Sequence, residues 1–155
     1  MDTREPQFQS DRLGRLRELA GAFRNAIERA DREKLPCTLQ EFPRGSCGEA
    51  ALLLGTFLKN QCMGSFQYVC GWRDGHSHAW LEGDGIIVDI TADFFPDKSD
   101  KIIVTHRSPW HEMFERKVDQ HEADFHLYDS RTVSQCEETY NIITERIRLP
   151  GTGAG

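Results

Sequence analysis

"EFPRGSCGEAALLLGTFLKN" (residues 41–60) sets a turn, a cysteine and an apolar run side by side. Pro43, Gly45 and Ser46 are turn and cap residues, so a helix is expected to begin at Cys47. From 47 to about 59 that helix is apolar on nearly every side: Ala50, Ala51, Leu52, Leu53, Leu54, Phe57 and Leu58. Such a helix belongs in the middle of a domain. A cysteine kept only for packing would stand inside the run, whereas Cys47 stands at its mouth. There the macrodipole and the free backbone N–H groups favour a thiolate. The same N–H groups can receive a developing oxyanion.

Upstream, Leu13, Leu16, Ala20, Phe23, Ile27 and Ala30 recur at intervals of three and four, which predicts a helix over 10–34 with Ser10 as N-cap and Pro36 as the stop. Its Arg-rich opposite face carries interleaved Glu and Asp and reads as a solvated surface. Downstream, "FQYVCGW" (66–72) and "KIIVTH" (101–106) have strand composition. "SHAWLEGDGIIVDITA" (77–92) reads as two strands joined at Asp84-Gly85, a favoured hairpin turn. "SQCEETYNIITERI" (134–147) is expected to be a C-terminal helix, and "SPWHEMFERKV" a short helix or turn that serves as a lid over the cleft. Helices first and strands afterwards predict an α+β domain. It is expected to span 1–148, with 149–155 ("LPGTGAG") as a flexible tail that resembles a tag remnant.

The hairpin geometry can be worked out. With a two-residue turn, Gly83 faces Ile86, Glu82 faces Ile87, Trp80 faces Asp89 and His78 faces Thr91. Ala79, Leu81, Ile86, Val88 and Ile90 then form a core face. His78, Trp80, Glu82, Ile87, Asp89 and Thr91 occupy the other. His78 and Asp89 become diagonal neighbours on that face, on the order of 7 Å apart at the backbone and within side-chain reach. A carboxylate beside a histidine fixes the imidazole tautomer and stabilises its charged form, so the pair can activate a nucleophile. Cys47 is the candidate nucleophile, provided the buried helix packs across the sheet. Asp74, Glu82 and Asp93 are weaker candidates for orienting the histidine, and His76 is a rival base expected in a loop at the cleft rim.

Composition sets the bounds. The chain has 155 residues, a net charge of −6 and five cysteines at irregular spacing. One domain with a real core is expected. No disulfide framework and no secretory h-region are evident, so a cytoplasmic protein is expected. With neither a basic block nor a membrane-length apolar run, nucleic acid and membrane are not expected partners. Cys37, Cys62, Cys70 and Cys136 read as packing residues. A mixed zinc site from His76 and His78 with Cys62, Cys70 or His106 would lack both CxxC and HExxH spacing, so neither metal nor cofactor is expected.

"GSCGEAALLLGTFL", "GHSHAWLEGDG" and "IIVDITADFF" together resemble the transglutaminase-like core of the papain-like cysteine protease superfamily. The resemblance covers roughly residues 42–95. That family sets its cysteine at the start of a buried helix, then an HAWxE strand, then an Asp in a DxT setting. Cys47, His78 and Asp89 match those positions in chain order. The family often carries an aromatic after the cysteine, where Gly48 and Glu49 stand here. "PRGSCGE" is also similar to the RGG-x-C motif of arylamine N-acetyltransferases, a more distant match. The resemblance implies an α+β domain with the cysteine helix packed on a small antiparallel sheet, and thiol-based acyl chemistry through a Cys47–His78–Asp89 triad. It also implies Gln40 as a side-chain oxyanion donor and Trp80 as a shield for the imidazole. The expected activity is hydrolysis of a peptide or side-chain amide (protease, peptidase or deamidase) on a peptide or protein substrate. The alternatives are a transamidating or thioester-dependent acyltransferase and a catalytically idle interaction module.

Overall fold

The computed structural model describes residues 4–117 and 120–147, so the expected tail at 149–155 lies outside the described residues. The fold is α+β. Its elements run α1 (Arg4–Arg29), α2 (Cys47–Asn60), β1 (Gln67–Arg73), β2 (His76–Gly83), β3 (Ile86–Asp89), β4 (Ile103–Thr105), α3 (Pro109–Glu112), β5 (Glu115–Arg116), β6 (His121–Glu122) and α4 (Ser130–Thr144). The strands form one antiparallel sheet in the order β4-β3-β2-β1-β5, with β6 also pairing with β1.

Two Asp-Gly turns build the centre of the sheet. Asp84 and Gly85 both have positive φ, as do Asp74 and Gly75, which is the conformation that suits a two-residue hairpin. The second turn makes His76 the first residue of β2, paired with Arg73, rather than the loop residue expected from Gly75. The first sets Gly83 against Ile86 and Glu82 against Ile87, the register the apolar alternation requires.

Each face of the sheet is buried against its own cluster. On one side Leu81, Ile86, Val88, Ile90 and Val104 join α1, α2 and α4 in the main core, where Leu16, Phe23, Leu53 and Leu58 are fully buried. On the other, Val69, Trp80, Ile87, Phe95, Ile103, Trp110 and Phe114 form a smaller aromatic cluster. The apolar α2 therefore lies between the sheet and the other helices, where its composition requires it to be. Among the described residues no helix is long and apolar enough to cross a membrane.

The first helix departs from the sequence reading. Ser10 lies inside α1, which starts earlier, and Pro6 falls in the first turn, where a missing N–H leaves no bond unmade. The helix ends at Arg29 because Asp31 starts a separate 3-10 turn (Arg32–Lys34), its side chain accepting from the Glu33 N–H at 3.1 Å. Nor is the Arg-rich face simply solvated. Arg12 and Arg17 donate to the carbonyls of Met63 and Val104. Arg24 is buried and donates to the Ile90 and Lys101 carbonyls and, with both terminal nitrogens, to Asp93. It ties α1 to the segment that follows Asp89. At the other end α4 begins at Ser130, four residues before the expected start, because Asp129 caps it by accepting from the Thr132 N–H.

Candidate active site

The site forms where β2 and β3 part. Their pairing runs from Gly83–Ile86 to Leu81–Val88 and stops there, while Asp89 pairs outward with Ile103 of β4. Cys47, at the first position of α2, meets the sheet at this opening. The slit is lined by Cys47, Ala51, Leu54, Ala79, Trp80, Val88, Asp89, Ile90 and Thr91 and has no room for a water molecule.

Helix α2 begins without the usual cap. Ser46 occupies the N-cap position but turns its hydroxyl back to the carbonyls of Thr38 and Arg44, at 2.7 and 3.1 Å. The first helical bond is from the Ala50 N–H to the Ser46 carbonyl, so the N–H groups of the first turn are not consumed by the helix itself. Giving up a serine cap costs about 1 kcal/mol. Gly48 lets β1 approach closely: a Cβ at that position would lie 2.9 Å from the Tyr68 hydroxyl.

The three matched residues are brought together. The Cys47 thiol lies beside His78 and the Ala79 N–H, and its interaction with both favours the thiolate. His78 Nε2–H donates to Asp89 Oδ2 at 2.6 Å, which leaves Nδ1 for the sulfur. Asp89 Oδ1 accepts from the Thr91 N–H at 2.9 Å and, more weakly, from its hydroxyl at 3.4 Å. His78 and Asp89 are each 2% exposed, whereas Cys47 remains half-buried. Trp80, Phe95, Trp110 and Phe114 surround the imidazole with ring centroids 5.1 to 5.7 Å away.

Burial opposes charge at all three groups, and partner interactions outweigh it. For Asp89, desolvation pushes the carboxyl up, but N–H bonds from His111 and His78 hold it well below the usual carboxylate range. Desolvation pushes His78 down, and Asp89 with Cys47 raise it to about 9. Desolvation raises Cys47, and the His78 hydrogen bond and charge with the Ala79 N–H bring it below an ordinary thiol. The arrangement therefore favours a thiolate–imidazolium pair.

Compared with protein-family models, curated proteins and solved structures, the chain matches none.

Of the other expected site residues, Trp80 lies beside His78 and the rest are dispersed. Gln40 is exposed and donates to the Leu35 carbonyl at 3.0 Å, so its amide is engaged away from Cys47. Trp80 is buried beside His78, its indole N–H donating to Glu82. His76 lines an open cleft of about 700 Å³ with Arg73, Asp74, Phe94, Phe95, Pro96, Asp97 and Met113. Phe95 separates that cleft from His78 and packs edge-on to both imidazoles. Asp93 is held by Arg24, and Glu82 by Arg116 and Trp80, so neither orients His78.

One residue was missed. His111 of α3 is 0% exposed and directs Nε2 at the same Asp89 oxygen, at 2.7 Å. The segment holds the short helix expected, α3, and its Trp110 and His111, with Phe114 just beyond it, are buried against the site. Its sequence signal is Ser108-Pro109, a cap followed by a first-turn proline, with His111 two residues on.

Among the described residues His78, Asp89 and His111 are also the group whose ligand atoms converge, all within 4.8 Å. His76, Cys62, Cys70 and His106 do not gather. The two rings stand at hydrogen-bond distance from the carboxylate, whereas two ligands of one tetrahedral zinc stand about 3.3 Å apart. As arranged, Asp89 bonds the rings directly.

Proposed function

We propose that this protein is a cysteine-dependent acyl-transfer enzyme of transglutaminase-like, papain-like architecture. Cys47 is the nucleophile, His78 the base and then the acid, and Asp89 the group that orients His78. The observation that carries the reading is the convergence, at the uncapped start of a buried helix, of the Cys47 thiol with His78, which is itself bonded to Asp89 at 2.6 Å. The aromatic that the family often places after its cysteine is absent, and here Tyr68 of β1 fills the space above Gly48.

The chemistry follows from the geometry. The Cys47 thiolate attacks an acyl carbonyl carbon, forming the S–C bond as the π pair moves to oxygen. First-turn N–H groups of α2 point toward that oxyanion. As the intermediate collapses, the bond to the leaving group breaks and the leaving atom takes the proton from His78 Nδ1. This leaves a thioester on Cys47. Water, or an amine in a transamidation, then gives a proton back to Nδ1 and attacks the thioester carbon. The C–S bond breaks and the thiolate returns. Asp89 stays ionised throughout and holds Nε2–H. Hydrolysis of a peptide or side-chain amide ranks first because Cys47 is only half-buried, which leaves an acyl group on its sulfur within reach of solvent water.

The test is acylation by p-nitrophenyl acetate, a generic acyl donor, followed by intact-mass analysis. Wild type is expected to release nitrophenol in a burst with one acetyl group on Cys47, followed by slow turnover. Cys47→Ala and His78→Ala are expected to abolish both. Equal acylation of wild type and Cys47→Ala would overturn the proposal.

A further inference from the structure

Asp89 does not serve His78 alone. Its Oδ2 accepts Nε2–H from His78 and from His111 at nearly equal distances, 2.6 and 2.7 Å. His111 is itself fixed at its other nitrogen, with Nδ1 lying 2.5 Å from Ser108 Oγ. That hydroxyl already accepts the His111 backbone N–H, at 3.3 Å, as the cap of α3. Its own proton is therefore available to Nδ1, which keeps the ring proton of His111 on Nε2 and aimed at Asp89. Ser108, His111 and Asp89 are all buried, so water does not compete for these bonds.

We propose that His111, locked by Ser108, is a positioning residue that shares the Asp89 carboxylate with His78 and so sets the basicity of the proposed catalytic histidine. The inference rests on the acyl-transfer reading of Cys47, His78 and Asp89. Two donors on one oxygen divide its charge. Each N–H withdraws density that would otherwise stabilise the imidazolium on the other side. A lone Asp89 would hold the His78 proton too tightly for His78 to act as a base in the second half-reaction, where the ideal pKa lies near the working pH. The second donor also anchors Oδ2, which resists rotation of the carboxylate away from His78.

The other charged groups around His78 leave this role to His111. Cys47 of α2 interacts with the ring, and Asp89 of β3 bonds Nε2. Arg73 of β1 lies behind the aromatic layer, stacked on Phe95, Trp110 and Phe114 and paired with Asp97. His76 packs edge-on to Phe95, which stands between it and His78, and Tyr68 interacts with Cys47 from the opposite face of the sheet.

The experiment is the pH profile of Cys47 alkylation by iodoacetamide, read site by site in the mass spectrometer. It compares wild type, His111→Leu and His111→Gln. Glutamine places an N–H near the position of Nε2, whereas leucine fills the space without a donor. Leucine is expected to move the alkaline limb, which reports loss of the His78 proton, upward by about one pH unit, a tenfold change. Glutamine is expected to keep the wild-type limb. A limb that stays in place in His111→Leu, or moves to lower pH, would overturn the inference. If the leucine variant does not fold, Ser108→Ala gives the same reading: an upward move of roughly two- to threefold supports the sharing, and no movement refutes it. These outcomes stand apart from the failure of the acyl-transfer reading, which would appear as a wild-type Cys47 indifferent to His78→Ala.

Discussion

Replacing Asp89 by asparagine changes one atom at a point where four donors converge. Oδ2 receives His78 and His111, and Oδ1 receives the Thr91 N–H and hydroxyl. An amide NH2 must face one of these pairs. Facing the histidines, it forces His78 to present an unprotonated Nε2, so that Nδ1 carries the proton and can no longer take one from Cys47. Facing Thr91, it sets a buried donor against a buried donor. Either way the carboxylate charge that holds the imidazolium is lost. A hydrogen bond to a charged group contributes about 1.5–3 kcal/mol, so the ion-pair population should fall roughly 10- to 150-fold at one tenfold step per 1.36 kcal/mol. The assay is the rate of Cys47 alkylation against pH. Asp89→Asn is expected to slow alkylation near neutrality by that factor and to return the Cys47 midpoint to the ordinary thiol range. A rate and profile equal to wild type would refute the reasoning, because Asp89 would then not be holding the pair.

The remaining predictions concern the same site and its scaffold. Because the folded carboxyl of Asp89 titrates below its unfolded value, its contribution to stability is present above about pH 3.9 and is lost as pH falls below that value. Urea denaturation of Asp89→Asn should therefore lose less stability between pH 4 and 2 than wild type, and parallel losses would contradict this. Because His78 is raised to about 9, its imidazolium should persist to that pH and disappear above it. A second step near 9 is expected in the wild-type alkylation profile and none in His78→Ala. Arg24→Met removes one partner of a buried pair and leaves Asp93 without its bidentate partner, so a loss of about 3–5 kcal/mol is expected by urea denaturation. A loss below about 1 kcal/mol would show that the clamp on the segment after Asp89 is not needed. Gly55→Ala would set a Cβ 2.4 Å from Ala123 Cβ and 2.5 Å from its carbonyl oxygen. About 1–3 kcal/mol of destabilisation is expected, with an unchanged Cys47 profile.

Much of this arrangement was legible because it rests on local patterns. The all-round apolarity of residues 50–58 required burial of α2. The apolar pattern across Asp84-Gly85 favoured a register that set His78 and Asp89 on one face. The Asp74-Gly75 turn carried the same signal, and reading it would have extended β2 to His76. What escaped notice depends on contacts distant in sequence. His111 lies 22 residues beyond Asp89, and nothing in the spacing shows that the chain returns to lay α3 against the aromatic face. Arg24 sits 66 residues before the Ile90 carbonyl it meets, so its face of α1 looked like any charged surface. Gln40 matches a motif position, but its amide meets the Leu35 carbonyl in the turn before α2. Ser46 resembled a helix cap by residue type, yet the carbonyls of Thr38 and Arg44 draw its hydroxyl away.

The measurement that bears most directly on the central claim is site-resolved alkylation of all five cysteines near pH 6, in wild type and in His78→Ala. Cys37 and Cys62 are exposed, Cys47 and Cys70 are partly covered, and Cys136 is buried. If His78 activates Cys47, the half-buried Cys47 should react before the exposed Cys37 and Cys62, and that lead should vanish in His78→Ala. Labelling that follows exposure alone, with the same order in both proteins, would contradict the account.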